Sequence, residues 1–296
     1  MIGITLGVVI GYFAFKIDEE SYVLKSDLKD FGIRYNLSTA FLRDLFPNEI
    51  VYLDNGQVTF TPIDPDLSLH EYDWGNLVNV DGRLDYRLND QSLIVTGIDV
   101  SKFQGVIDWN KVKQENIDFA MLRVGYRGYS EGEIFIDNQF HEYAIGAVQN
   151  DIDLGVYFFS QAINEAEAIE EANFVLQQIV DYPLSYPIVF DMEDIFNTTT
   201  RTDGLNKDEI TKITKAFCLR IKEAGYTPMI YGNSHWFFSK LNLEELKDID
   251  KWYAQYASDP YYPYAFTIWQ YTNSGQIDGI NGNVDLNISF VDYAEK

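Results

Sequence analysis

Pro187-Ile188-Val189-Phe190-Asp191-Met192-Glu193-Asp194 is an apolar run that passes without a break into acidic residues. Consecutive apolar residues over so short a length mark a strand covered on both faces, as parallel strands are when helices lie over their outer side. Asp191 and Glu193 stand two apart, so on an extended chain both side chains leave the same face and Met192 leaves the other. Their Cα atoms are then about 6.6 Å apart, at about 3.3 Å per residue. Burying carboxylates at a strand end costs desolvation energy, and such positions in barrel folds carry chemistry.

Working outward, similar short runs recur at 93–100, 119–125, 154–160, 227–231, 251–256, 266–271 and 284–290, giving eight strands with 188–193. Amphipathic stretches at 108–115, 137–149, 165–180 and 207–224 separate several of them. Strands alternating with helices predict a parallel sheet covered on its outside. Eight strands predict an α/β fold, an irregular (β/α) barrel of TIM-barrel type over 97–296. It is irregular because late connections such as 257–266 are too short for full helices. Two further runs meet acids, Ile94-Val95-Thr96-Gly97-Ile98 at Asp99 and Gly282-Asn283-Val284 at Asp285.

Residues 17–96 form an N-terminal extension of another character. A helical pattern covers 22–46, and 49–60 is a hairpin around Asn55-Gly56, a pair suited to a type I′ turn. Residues 61–90 are polar and turn-rich, with no cluster of titratable groups that suggests chemistry; a spacer or packing role is expected, and a chain beginning near Asp90 is expected to fold and keep its activity. Residues 1–15 hold no charge and are followed by Lys16, Asp18, Glu19 and Glu20. Segment 1–16 is therefore expected to be a membrane anchor or a signal-like segment. At about 1.5 Å per residue it falls short of the hydrocarbon thickness of about 30 Å, so as a span it would need to thin the bilayer or borrow flanking residues. It lacks a basic leader and a small-residue cleavage site, which favours an anchor over a cleaved signal.

The whole chain has 296 residues, 46% of them hydrophobic, which rules out disorder as its main state. Its 22 basic and 46 acidic side chains leave a net charge of −24, with no basic segment to displace counterions from phosphates. Nucleic acid is excluded as the expected partner, and neutral or cationic substrates are favoured. Cys218 is the only cysteine, inside a helical pattern, so it reads as a buried structural thiol. His70, His141 and His235 are scattered outside any metal-ligand spacing, so no metal and no cofactor are expected.

Paired carboxylates suit glycosidic cleavage, in which an acid protonates the leaving oxygen and a carboxylate faces the developing positive charge. Asp-x-Glu alone is more commonly a helix cap or an acidic surface turn. The wider pattern decides the matter. Gly97-Ile98-Asp99-Val100-Ser101-Lys102-Phe103-Gln104-Gly105 with Ile107-Asp108-Trp109 resembles the opening of glycoside hydrolase family 25, the N-acetylmuramidase lysozymes. Arg123-Val124-Gly125-Tyr126, Gly155-Val156-Tyr157-Phe158-Phe159, Ala224-Gly225-Tyr226-Thr227-Pro228, Trp252-Tyr253-Ala254-Gln255-Tyr256, Trp269-Gln270-Tyr271 and Val284-Asp285-Leu286-Asn287 follow in that family's order. The resemblance covers about residues 97–291.

It implies a peptidoglycan hydrolase that cuts the β-1,4 bond between N-acetylmuramic acid and N-acetylglucosamine. Glu193 matches the family's acid, Asp191 its partner carboxylate, and Asp99 and Asp285 the acids that complete a negative ring. Whether Asp191 acts as nucleophile or holds the substrate's 2-acetamido group stays open. Tyr126, Tyr157, Phe159, Tyr231, Trp252 and Gln270 are the candidate substrate-binding residues, and Arg123 a buried partner for the acidic ring. The resemblance further implies an extracytoplasmic protein, membrane-anchored or secreted, monomeric and acting on the cell wall. Two departures from the pattern are Asn150-Asp151-Ile152-Asp153, before the third strand, and the polar loop 197–203 after the catalytic pair. A cell-wall-binding module that keeps the groove without turnover is the alternative. A chitinase-like barrel is disfavoured, because 185–193 lacks the longer Asp-x-x-Asp-x-Asp-x-Glu motif.

Overall fold

Leu42, Phe46, Val51 and Val58 form the small core of the first of two units into which the chain divides, Met1–Pro62 and Ile63–Lys296. The computed structural model describes residues 25–54, 56–257 and 260–295. In the first unit the helical pattern is broken in two, α1 (Lys25–Arg34) and α2 (Thr39–Leu45), with Asn36 between them in the left-handed region at φ 47°. Ser38 caps α2 by accepting from the Phe41 amide at 3.4 Å. The expected hairpin is present: β1 (Glu49–Asp54) pairs antiparallel with β2 (Gln57–Pro62), and Gly56 takes φ 78° in the turn. The uncharged segment 1–16 lies outside the described residues. Among those described, no helix is long and apolar enough to cross a membrane.

The second unit opens with a three-stranded antiparallel meander, β3 (Leu77–Val80), β4 (Arg83–Leu88) and β5 (Gln91–Ser92). Then come β6 (Val95–Val100), α3 (Trp109–Gln114), β7 (Phe119–Arg127), β8 (Ile134–Ile136), α4 (Phe140–Gln149), β9 (Asp153–Phe159), α5 (Glu165–Gln178), β10 (Leu184–Asp191), α6 (Lys207–Glu223), β11 (Pro228–Gly232), β12 (Asp250–Ala254), β13 (Ile268–Gly275) and β14 (Val284–Ser289). Eight strands, β6, β7 and β9 to β14, close into a barrel through the β6–β7 pairing, and β8 is added antiparallel to β7. The pairs from β6 to β13 are parallel, whereas β14 runs antiparallel to both β13 and β6. This is the expected irregularity in a more specific form than short connections alone implied.

The barrel interior is filled by Phe119, Met121, Tyr186, Val189, Met229, Trp252 and Ile268. Such rings fit because the opposing positions are small: a Cβ on Gly97 would come within 2.3 Å of the Phe119 ring, and one on Gly155 within 2.4 Å of Met121 Sδ.

Residues 63–96 differ from the sequence expectation, which grouped them with the extension. They belong to the same unit as the barrel. Tyr72 stacks on Phe290 with ring centroids 4.0 Å apart and donates its hydroxyl to the Phe266 carbonyl at 2.6 Å. Trp74 meets Phe266 and Trp269, and backbone bonds join His70 to Pro263 and Ala265 to Ser68. The physical reason lies in the late connections. Where no helix covers β13 and β14, the outward-facing Phe266 and Trp269 need another cover, and the segment before β6 supplies it.

Candidate active site

Four acids reach one end of the barrel by two routes. Asp99 and Asp191 close out parallel strands β6 and β10, and Glu193 follows Asp191 just beyond the strand. Asp285 stands at the start of β14, not at the end of a run as read from sequence. Because β14 is antiparallel, its start lies at that same end, where Asp285 is the register partner of Asp99. These four line a cavity of about 350 Å³, together with Tyr157, Phe159, Tyr231, Trp252 and Gln270 from the predicted set. Tyr126 is not among its lining residues. It stacks on Phe135, and the Lys102 ammonium sits 5.0 Å from its ring.

Asp99 is held rigidly. Its Oδ2 accepts from Gln270 Nε2 and from Asn287 Nδ2, each at 2.8 Å. Those amides are oriented in turn: Tyr231 and Tyr256 donate to Gln270 Oε1 at 2.9 and 3.0 Å, and Trp252 Nε1 donates to Asn287 Oδ1 at 2.8 Å. Amides whose oxygens are already engaged present their donors to Asp99, so its position is fixed by a fan of three aromatic side chains. Asp191 contrasts with it. Its backbone carbonyl accepts from the Ser160 amide at 2.7 Å, but its buried Oδ1 has no hydrogen-bond partner among the described residues. A buried carboxylate oxygen left unpaired at a cavity wall marks a position of function, because for stability alone it is a cost.

Burial raises the proton affinity of the whole group. Asp99 and Asp191 are pushed well above the usual carboxylate range by desolvation first; Asp285 adds to the effect on Asp99 and Glu193 to that on Asp191, while the amide donors and Arg123 respectively oppose it. Glu193 is raised to about 7 by desolvation, then by Asp285 and Asp194, and Asp285 to about 6, chiefly by desolvation. Arg123 lines the cavity, yet its ion partner is Asp137, outside the ring, at 2.7 Å. The expectation of a direct ion partner for the ring is corrected to a neighbouring positive charge that acts on Asp191 through space.

Reading the sequence missed several contributors. Ser101, Phe103 and Gln104 line the cavity from the turn after β6, and Tyr256 and Asn273 from the loops after β12 and within β13. Phe103 is 76% exposed, a large ring standing in solvent at the cavity rim. All but Asn273 lay in the quoted motif blocks. Asn287 also lay in a block, but nothing there revealed that it would grip Asp99. Asp194 is fixed by His235 Nε2 at 2.9 Å and Lys240 Nζ at 3.1 Å, which anchors the chain just past Glu193. The polar loop 197–203 is tied down through Thr200 to Asp203 and Arg201 to Glu167.

A closed β/α barrel with four buried or half-buried acids gathered at one end, one of them held by two amides, fits the class of barrel glycosidases. Residues 98–280 match the profile of Glycosyl hydrolases family 25, and the chain belongs to that family. It is 25% identical over 191 residues to the "Autolytic lysozyme" of Clostridium acetobutylicum, covering 64% of this chain and 54% of that protein. It is 27% identical over 204 residues to "Lysozyme M1" of Streptomyces globisporus, covering 65% of this chain and 67% of that protein. Among solved structures, the modular autolysin LytC of Streptococcus pneumoniae superposes with a TM-score of 0.60 at 26% identity, covering 81% of this chain and 57% of that one. The chain thus spans little more than half the length of some relatives that it matches.

Proposed function

We propose that this chain is a peptidoglycan hydrolase that cleaves the β-1,4 bond between N-acetylmuramic acid and N-acetylglucosamine. The observation that carries the proposal is the pairing of Glu193, with its proton affinity raised to about 7, beside Asp191, whose buried oxygen is free to face a substrate. Glu193 gives its proton to the glycosidic oxygen as the bond to the muramic acid anomeric carbon breaks. The oxygen leaves with N-acetylglucosamine. Asp191 faces the positive charge that develops on the sugar, water completes the hydrolysis, and burial, with the neighbouring Asp285 and Asp194, lets Glu193 hold its proton near neutral pH. Tyr157, Phe159, Tyr231 and Trp252 wall the sugar site, Gln270 serves it through Asp99, and the exposed Phe103 offers a ring face at the rim.

The relatives' names support the reading, as does the solved complex of LytC with a synthetic peptidoglycan ligand. We place the protein outside the cytoplasm, with 1–16 as its attachment or export segment, 17–62 as a spacer and the barrel unit at the wall. Clearing of a suspension of purified cell walls tests the function. The native chain should clear it, and Glu193→Gln should bind walls without clearing them. Binding by both with clearing by neither would instead support the non-catalytic wall-binding alternative.

A further inference from the structure

A second cavity, of about 730 Å³ against about 350 Å³ for the acidic one, lies between the meander and the barrel within the second unit. Val78, Asn79 and Arg83 form its meander side, and Tyr271, Thr272 and Ser274 its barrel side. The two cavities share a wall. Tyr256, Asn273 and Asp285 line the acidic one, while their chain neighbours Ala257, Thr272 and Leu286 line the other.

The wall runs along an irregular stretch of the sheet, where Thr272 and Ser274 bond to each other, and on the meander side Asn79 accepts from the Gly82 amide. The register of β13 on β14 shifts between Gln270 and Thr272 and again between Thr272 and Gly275, so Tyr271, Asn273 and Ser274 have no partner across that ladder. Irregularities of this kind re-aim side chains next to active sites. The lining mixes hydroxyls and amides with the faces of Val78, Leu286 and Tyr271. Arg83 is already ion-paired with Glu115, and the other charge, Asp81, stands exposed in the turn between β3 and β4. No buried unpaired charge then selects the ligand. Apolar faces edged by hydroxyl and amide groups fit a neutral saccharide. The meander side of the groove precedes residues 98–280, which match the family profile, while most of the barrel side lies within them.

We propose that this groove holds sugars of the glycan strand beyond those at the point of cleavage, so that a long polymer is gripped at two places; the inference rests on the glycosidase reading above. Linking two weak sites on one polymer raises affinity without new contacts at the reacting bond. The test compares peptide-free glycan strands with a muramic acid tetrasaccharide, using Val78→Trp from one wall and Thr272→Trp from the other, each first shown to melt like the native chain. KM for long strands should rise roughly tenfold with kcat unchanged, and the tetrasaccharide should be cleaved as before.

Unchanged KM on long strands in both folded variants, or an equal loss on the tetrasaccharide, overturns the groove. So does a native preference for long strands that appears only when peptides are attached. If the native chain cleaves neither substrate, the glycosidase reading fails separately, and the groove is judged by titrating peptide-free strands. Tighter binding by the native chain than by Val78→Trp supports it, and equal binding overturns it.

Discussion

At the scale of single residues, the site sets one firmly held acid, Asp99, against Asp191, whose buried Oδ1 has no partner among the described residues. Asn287 is fully buried and serves two masters, donating to Asp99 and accepting from Trp252. Asn287→Ala leaves both partners short of a bond and should cost about 1–3 kcal/mol in denaturant melting, with a fall in activity as Asp99 loosens. Glu193 gives the opposite sign for stability. Its proton affinity rises from 4.5 in the open chain to about 7 in the fold, so the native state binds the extra proton and stability falls as pH rises across that interval. Glu193→Gln removes this penalty, so its melting temperature should exceed that of the native chain by a few degrees at pH 8 and by little at pH 4. Turnover should drop by about 10²–10⁴-fold. In the native enzyme the rate should decline as pH rises through about 7, where Glu193 loses its proton. A variant that melts lower at pH 8 would show that Glu193 is a structural group. Asp99, Asp191 and Glu193 were legible in the sequence because acids closing apolar runs are conspicuous, whereas Asp285 was found by the same reasoning although it opens its strand. The amides and tyrosines that hold Asp99 were not, since a buried Asn or Gln has no periodic signature and its partners come from strands far apart in the chain.

At the scale of elements, the barrel was readable because its strands are continuous apolar runs, buried on both faces, and the helices between them are amphipathic with a period of 3.6. The meander was not, because its strands are short and lie among turns, and β3 leaves Val78, Asn79 and Val80 exposed rather than buried in a core. Tyr72 and Trp74, just before it, tie this segment to the barrel, and their role depends on Phe266, Trp269 and Phe290, about two hundred positions later. The expectation that a chain beginning near Asp90 would fold unaided is accordingly revised. Such a chain exposes Trp269 and Phe266 and should melt at lower temperature and with less cooperativity than one beginning at Ile63. Equal melting of the two would show that the meander only rests on the barrel. The end of β7 makes a related prediction. Arg127 pairs with the fully buried Glu171 at 2.7 Å and with Glu170 at 2.8 Å, and Ser160 joins the same cluster. Arg127→Met leaves Glu171 without its cation and should cost about 3–5 kcal/mol by thermal or chemical melting.

At the scale of the whole molecule, the net charge of −24 bears on the proposed function wherever the wall it would act on carries acidic groups. Like charges slow the encounter and salt screens them, so clearing of intact walls should speed up as ionic strength rises from a low value, while cleavage of a neutral oligosaccharide should stay flat. The fold class, the ring of acids and the family were all in the sequence, because motif order survives where overall identity has fallen to about a quarter. The division of the chain at residue 62 and the second groove were not, since both arise from packing between distant segments. The central claim concerns which bond is cut. Mass spectrometry of reduced fragments released from purified peptidoglycan tests it most directly: the account predicts N-acetylmuramitol at every new reducing end, and fragments ending in reduced N-acetylglucosamine, or no fragments at all from the folded native chain, would contradict it.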